Sequence, residues 1–379
     1  MTNERSSLLA PRSSLATRPG YESIPLYAPG TSPCAIDVSD TVNLWGAPDE
    51  ALEALREAAT VGMVAHYPAL YNVALREPLA AYAGVRPDEI VTGCGSDDVL
   101  DCAVRAFAQP DGILAHAAPT FSMVNVYARA NGLTPVGVPL AGDDYAVDAD
   151  ALLATNACII YLCSPNNPTA TPVARDAVRR VVEGARGLVI LDEAYAEFIL
   201  ADPDTRAEVF TPEAPAWERV LVLRTMSKAF GLAGLRVGYG VGHPRVVREV
   251  EKARGPFKVT HPAEQAALAA LGAGLPWVRA RAVDAVAQRR RLEDGLRALG
   301  LEPAPSVANF AFVPVPGARA VADALRKKGV GVRVFDGLPT ALPAAVPALA
   351  ASGGAGLRLA AGPERIQRAL LDALAEVLR

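Results

Sequence analysis

Between about residues 47 and 255, stretches with helical periodicity alternate with short runs of unbroken apolar residues. Runs of that kind belong to strands covered on both faces, so the pattern predicts helices packed on either side of a mostly parallel sheet. The strands expected are Ile113–His116, Cys158–Cys163, Leu188–Leu191 and Val220–Arg224. Three of them run into turn chemistry, at Ala117-Ala118-Pro119, Ser164-Pro165-Asn166-Asn167-Pro168 and Asp192-Glu193. In an open α/β sheet the ligand crevice lies beyond the carboxyl ends of the strands, so these polar clusters are where chemistry is expected.

After about Gly255 the pattern changes to a long Ala/Arg-rich helix over Pro276–Leu299, a strand near Asn309–Val313, then helix, strand and terminal helix. That order reads as a smaller α+β domain. The expected division is a loose tail at 1–20, an N-terminal arm at 21–46, a large domain at 47–255 and a small domain at 256–379. Leu338–Leu357 carries no formal charge, but Pro339, Pro343 and Pro347 recur about one helical turn apart and break any membrane helix there. An irregular loop is expected in its place. No internal repeat and no sustained heptad is visible.

With 379 residues, 51% of them hydrophobic, the chain can bury a large core. A net charge of −4 supplies no broad field for polyanions, which argues against nucleic acid as a partner. Five cysteines, Cys34, Cys94, Cys102, Cys158 and Cys163, are odd in number and form no C-x-x-C pair. They fit neither a disulfide framework nor a zinc ribbon, and a reducing cytoplasm suits them.

The densest chemistry is Arg224-Thr-Met-Ser-Lys-Ala-Phe-Gly-Leu-Ala-Gly-Leu-Arg236, directly after an expected strand. A lysine in such a turn, with Thr225, Ser227 and Arg236 around it, suits an aldehyde cofactor that carries a phosphate. The alternative is that Lys228 and Arg236 are ordinary surface cations. Asp192 ends an apolar strand, where a carboxylate needs a cationic partner, and a pyridinium nitrogen is one. Tyr195 and Asn167 can then donate to the ring's phenolic oxygen. Asp192-Glu193 reads equally as a strand-end turn or helix start; as a metal pair it lacks a second ligand cluster. Gly93-Cys-Gly95-Ser96-Asp97-Asp98 precedes an expected helix over Val99–Phe107, offering backbone N–H groups to a phosphate or simply a capped helix with Ser96 or Asp97 as cap. Phe121, in Pro119-Thr-Phe121, can stack on a planar ring or belong to the core. Gly238-Tyr-Gly-Val-Gly242 lacks dinucleotide-fingerprint spacing and reads as strand and turn packing.

Together these residues resemble the class I/II aminotransferases of fold type I, which depend on pyridoxal 5′-phosphate, and within them the histidinol-phosphate aminotransferase branch. The run from Arg224 to Tyr239 carries the resemblance furthest, supported by Pro119-Thr-Phe-Ser-Met123, Asn166-Asn-Pro-Thr169 and Asp192-Glu-Ala-Tyr-Ala-Glu-Phe198. The resemblance implies an α/β fold with a mostly parallel sheet in a large domain and a smaller α+β domain. It implies that Lys228 is the Schiff-base lysine and base, that Asp192 meets the ring nitrogen, and that Asn167 and Tyr195 meet the ring oxygen while Phe121 stacks. Gly95, Ser96 and Asp97 with Thr225, Ser227 and Arg236 are implied for the phosphate, with Tyr67 reaching it from the partner subunit of a homodimer. For substrate it implies Arg358 at a carboxylate, Arg333 at a substrate phosphate, and Tyr27 and Asn43 from the arm. Lys258 adds a cation near the substrate mouth. Ser164 and Ala170 depart from the usual asparagine and glycine. The reaction expected is amino transfer between L-histidinol phosphate and 2-oxoglutarate. The alternatives are aromatic or other amino-acid donors, or decarboxylation as in threonine-phosphate decarboxylase relatives.

Overall fold

The computed structural model describes residues 17–18, 20–26, 34–338 and 346–379; Tyr27, Pro339 and Pro343 lie outside the described residues. Its centre is a seven-stranded sheet of β2 (Ile90–Cys94), β3 (Ile113–Ala118), β4 (Thr134–Pro139), β5 (Ile159–Cys163), β6 (Leu188–Asp192), β7 (Val220–Thr225) and β8 (Val237–Gly242), in the order β2-β8-β7-β6-β5-β3-β4. β8 pairs antiparallel with both of its neighbours, while the pairs from β7 to β4 are parallel. All four expected strands are present, and the mostly parallel sheet is as the apolar runs required.

Alternation within those runs builds two cores, one on each face. On β5 and β6, Ile160, Leu162, Val189 and Leu191 enter one cluster. Ile159, Tyr161, Leu188 and Ile190 enter the other. Helices cover both faces, which is why each strand reads as continuously apolar.

β2, β4 and β8 escape notice in the sequence because glycine and proline interrupt their apolar character. In β8 the glycines serve packing, as expected: a Cβ on Gly238 would collide with the Ser96 backbone nitrogen, and one on Gly242 would lie 2.6 Å from the Val220 carbonyl oxygen. Helix Ser96–Phe107 can therefore rest its first turn directly on β8. The cap position of that helix is Gly95, at φ +80°, with no side-chain cap bond, so neither Ser96 nor Asp97 caps it.

A second sheet, β11 (Arg333–Phe335), β12 (Gly356–Ala360) and β9 (Phe310–Pro314), is antiparallel and lies against the helices Ala318–Lys327 and Glu364–Val377 through Val313, Leu325, Leu359 and Leu370. Helix Leu275–Ala298 adds Leu292 and Leu296 to that core and Val278 and Ala282 to the core of the large sheet. From the N-terminal segment, β1 (Ile36–Asp37) pairs in parallel with β10 (Val330–Gly331), and Val38 accepts from the Ala360 backbone. The irregular loop expected at Leu338–Leu357 is corrected over its described part: Pro347 opens the short helix Pro347–Ala351, where its missing N–H costs nothing, and β12 follows. Among the described residues, no helix is long and apolar enough to cross a membrane.

A methyl group at Gly238 would press on the backbone of Gly95 and Ser96, which cannot swing aside as a side chain can. Gly238→Ala is therefore expected to lower unfolding stability by about 1–3 kcal/mol in urea denaturation. A wild-type midpoint would show that the helix can slide off β8.

Candidate active site

Parallel strands bring their carboxyl ends to one edge, and five sequence-distant segments meet there. Gly95–Asp97 follow β2, Thr120–Ser122 follow β3, Asn167 follows β5, Asp192–Tyr195 straddle the end of β6, and Thr225–Lys228 leave β7. Arg236 sits at the same edge because β8 runs the other way and begins where the rest end. From the second sheet come Arg333, Phe335 and Arg358, and from the N-terminal segment Asp40 and Thr41. The cleft they line encloses about 280 Å³.

Asp192 is buried, with 6% of its surface exposed. Tyr161 donates to its Oδ2 at 2.7 Å and the Ala194 backbone to its Oδ1 at 3.1 Å. No Lys or Arg forms an ion pair with it among the described residues, and burial pushes its carboxyl from 3.8 up to about 6. Lys228 moves the opposite way: burial, and then the charge of Arg358, bring its amine from 10.5 down to about 8. Its Nζ donates to Thr41 Oγ1 at 2.8 Å, and Thr41 Oγ1 lies 2.8 Å from the Tyr195 hydroxyl.

At one end of the cleft a set of donors surrounds the first turn of helix Ser96–Phe107. Arg236 donates to Ser227 Oγ at 3.3 Å and to Asp97 Oδ2 at 3.4 Å, and the Ser227 backbone donates to Thr225 Oγ1 at 3.1 Å. Arg236 holds φ +53°, a strained value for a residue with a Cβ, and this aims its guanidinium across Gly95. A Cβ on Gly95 would meet Arg236 Nη2 at 2.5 Å, and Gly95 itself holds φ +80°, so glycine lets the guanidinium lie where it does. Backbone donors at a helix start, two hydroxyls and a guanidinium make a cradle for a phosphate. At the other end, Arg358 donates to Asn167 Oδ1 and to the Ser39 carbonyl, both at 2.7 Å, and lies between the rings of Phe310 and Phe335.

The structure thus brings Ser96, Asp97, Phe121, Asn167, Asp192, Tyr195, Thr225, Ser227, Lys228, Arg236, Arg333 and Arg358 to one cleft, with Gly95 against its rim. Three other residues singled out in the sequence are placed elsewhere in this chain. Asn43 holds the arm, donating to the Ala229 carbonyl and accepting from the Trp45 backbone. Lys258 pairs with Asp98 at 2.7 Å instead of reaching the mouth. Tyr67 is 80% exposed and stacks on Phe257 at 4.7 Å. Sequence reading missed Tyr161 and Thr41. A single tyrosine in the aliphatic run of β5 signals a buried hydroxyl in need of an acceptor. Thr41 gives no local signal, because its partners stand 154 and 187 residues away.

Fold and cleft together define a pyridoxal-5′-phosphate-dependent enzyme of the fold type I class. A family model described as aminotransferase class I and II matches residues 36–349, and the chain belongs to that family. The histidinol-phosphate aminotransferase of Erythrobacter litoralis is 38% identical over 332 residues, 83% of this chain and 88% of that protein. The aromatic amino acid aminotransferase of Rhodococcus jostii is 38% identical over 338 residues, 85% of this chain and 92% of its own length. The solved structure of histidinol-phosphate aminotransferase from Sinorhizobium meliloti in complex with pyridoxal-5′-phosphate matches with TM-score 0.82 and 27% identity, covering 97% of this chain and 99% of that one.

A carboxyl raised by burial binds its proton more readily in the folded chain than in the unfolded one. Stability of the cofactor-free chain therefore falls as pH rises from about 4 to about 6 and stays lower above. Asp192→Asn removes that loss. At pH 7 without cofactor the variant is expected to be more stable by about 1–3 kcal/mol in urea unfolding, the gap closing below pH 4. Equal stability at pH 7 would contradict the burial of an anion here.

Proposed function

We propose that this chain is an aminotransferase that exchanges an amino group between L-histidinol phosphate and 2-oxoglutarate, using pyridoxal phosphate held by Lys228. The observation that carries the substrate class is the register of β11 on β12, in which Arg333 and Arg358 are direct cross-strand partners. Two guanidinium groups on one strand pair, both lining the cleft, present a fan of charged donors for more than one anionic group. L-Histidinol phosphate offers a phosphate and 2-oxoglutarate two carboxylates, so each half-reaction brings an anion to the same pair.

When bound, pyridoxal phosphate supplies an aldehyde and an electron-withdrawing ring that stabilises negative charge at the substrate carbon bearing the amine. Lys228, with its amine pKa near 8, is neutral in about one molecule in ten at pH 7 and so can attack a carbonyl, then carry a proton at that carbon. Asp192 balances a positive charge at the ring nitrogen. Asn167 and Tyr195 serve the ring oxygen, Phe121 covers a ring face, and the cradle of Gly95, Ser96, Asp97, Thr225, Ser227 and Arg236 takes the phosphate.

A homodimer completes the reading. Val61, Val64, Tyr67, Leu70, Val73 and Phe257 are all large apolar residues left exposed on the chain, in keeping with a covered face from which Tyr67 reaches the partner's phosphate site. An aromatic amino-acid donor is the second reading. It is favoured by Phe335, whose ring lines the cleft and packs edge-on against Phe312 at 6.1 Å.

The purified protein is expected to show a long-wavelength cofactor absorption band that Lys228→Ala abolishes. L-Histidinol phosphate should convert that band at lower concentration than phenylalanine does, and phenylalanine should convert it without release of carbon dioxide. Arg333→Gln should raise the KM for L-histidinol phosphate about tenfold or more while leaving phenylalanine within about twofold. A band that L-histidinol phosphate leaves unchanged but phenylalanine converts would favour the second reading, and carbon dioxide release would mean decarboxylation.

A further inference from the structure

Thr41 belongs to neither sheet, yet it touches both residues on which the proton chemistry rests. It is buried, with 2% of its surface exposed, and its place is set by the segment Ile36–Thr41. That segment is fixed at every step: β1 on β10, the Val38 backbone donating to the Gly331 carbonyl, the Val38 carbonyl accepting from the Ala360 backbone, the Ser39 carbonyl accepting from Arg358, and the Thr41 carbonyl accepting from Asn309 at 3.3 Å. The hydroxyl of Thr41 is therefore a rigid group brought to the cleft from outside the large sheet.

A threonine hydroxyl has one proton to give. Its oxygen also carries two lone pairs: Lys228 Nζ donates to it at 2.8 Å, and the Tyr195 hydroxyl lies 2.8 Å away as donor or acceptor, so one fixed oxygen ties both side chains.

We propose that Thr41 is a positioning residue, holding the Lys228 amine whenever it is released from the cofactor and fixing the place of the Tyr195 hydroxyl beside the cofactor's ring oxygen. This rests on the roles given above to Lys228 and Tyr195. The same three-residue stretch that holds Lys228 through Thr41 also holds Arg358 through Ser39, so the lysine and a substrate-facing arginine share one support. Asp40, between them, lines the cleft as well, and its charge favours the ammonium form of Lys228.

The test compares the holoenzymes of wild type, Thr41→Val, which keeps the shape and removes the hydroxyl, and Thr41→Ser, which keeps the hydroxyl. The first readout is the pH midpoint of the cofactor absorption band without substrate. A donor at the ring oxygen draws electron density from the ring and lowers the affinity of the lysine-linked nitrogen for its proton. Thr41→Val is therefore expected to shift the midpoint upward by about half a pH unit or more, with Thr41→Ser at the wild-type value. The second readout is steady-state kinetics, where Thr41→Val should lower kcat about tenfold with KM nearly unchanged and Thr41→Ser should restore most of the loss. A wild-type midpoint and kcat in Thr41→Val overturns the proposal, as does a Thr41→Ser variant as impaired as Thr41→Val, which would make the role one of packing. Should Thr41→Val fail to fold, Thr41→Ala serves instead, with the same midpoint and kcat changes expected, and in the Tyr195→Phe background Thr41→Ala must leave the midpoint unchanged. Loss of the band in every protein, wild type included, would strike at the assignment of Lys228 and not at Thr41.

Discussion

The carboxylate of Asp192 is buried at the end of β6, held by the Tyr161 hydroxyl and one backbone N–H and by no ion pair among the described residues. Neutral hydrogen bonds orient a buried anion but do not repay its desolvation, as the upward shift of its pKa records. The cleft shows the opposite imbalance at its other groups. Burial and Arg358 disfavour the charge on Lys228, and Arg333 stands opposite Arg358 across two strands. A buried carboxylate, a buried amine and two guanidinium groups thus share one small volume at the edge of the sheet.

Rigid packing surrounds these groups. The large sheet carries a core on each face, and the first turn of helix Ser96–Phe107 sits directly on β8 where Gly238 leaves room for it. Arg236 is held in a strained backbone state immediately before β8, and its guanidinium bonds to Ser227 and to Asp97 at the start of that helix. Buried ion pairs elsewhere, such as Arg224 with Glu197 and Arg289 with Asp202, are matched within the chain.

Function in this arrangement depends on two supports meeting. The edge of the parallel sheet supplies Asp192, Tyr195 and Lys228, while the second sheet and the N-terminal segment supply Arg333, Arg358 and Thr41. Arg358 bonds to Asn167 of the first support and to Ser39 of the N-terminal segment at once, so this arginine ties the two supports together.

From the sequence alone, the parallel sheet, its clusters of polar residues at strand ends and the lysine with the hydroxyls and arginine around it were legible, because unbroken apolar runs and short-range motifs are local features of the chain. Thr225, Ser227, Lys228 and Arg236 fall within twelve residues of one another, and their proximity is already written in their numbers. The strands rich in glycine or proline were not legible, since their packing value lies in a neighbour that local patterns do not name. Only the tertiary structure paired Tyr161 with Asp192, set Arg333 opposite Arg358, gave Lys258 to Asp98, and carried Thr41 across 187 residues to Lys228. The reason is physical: hydrophobic periodicity specifies which face of an element is buried, whereas hydrogen-bond partners and charge pairs depend on register and on which elements meet, and those are decided by the assembly of the whole chain.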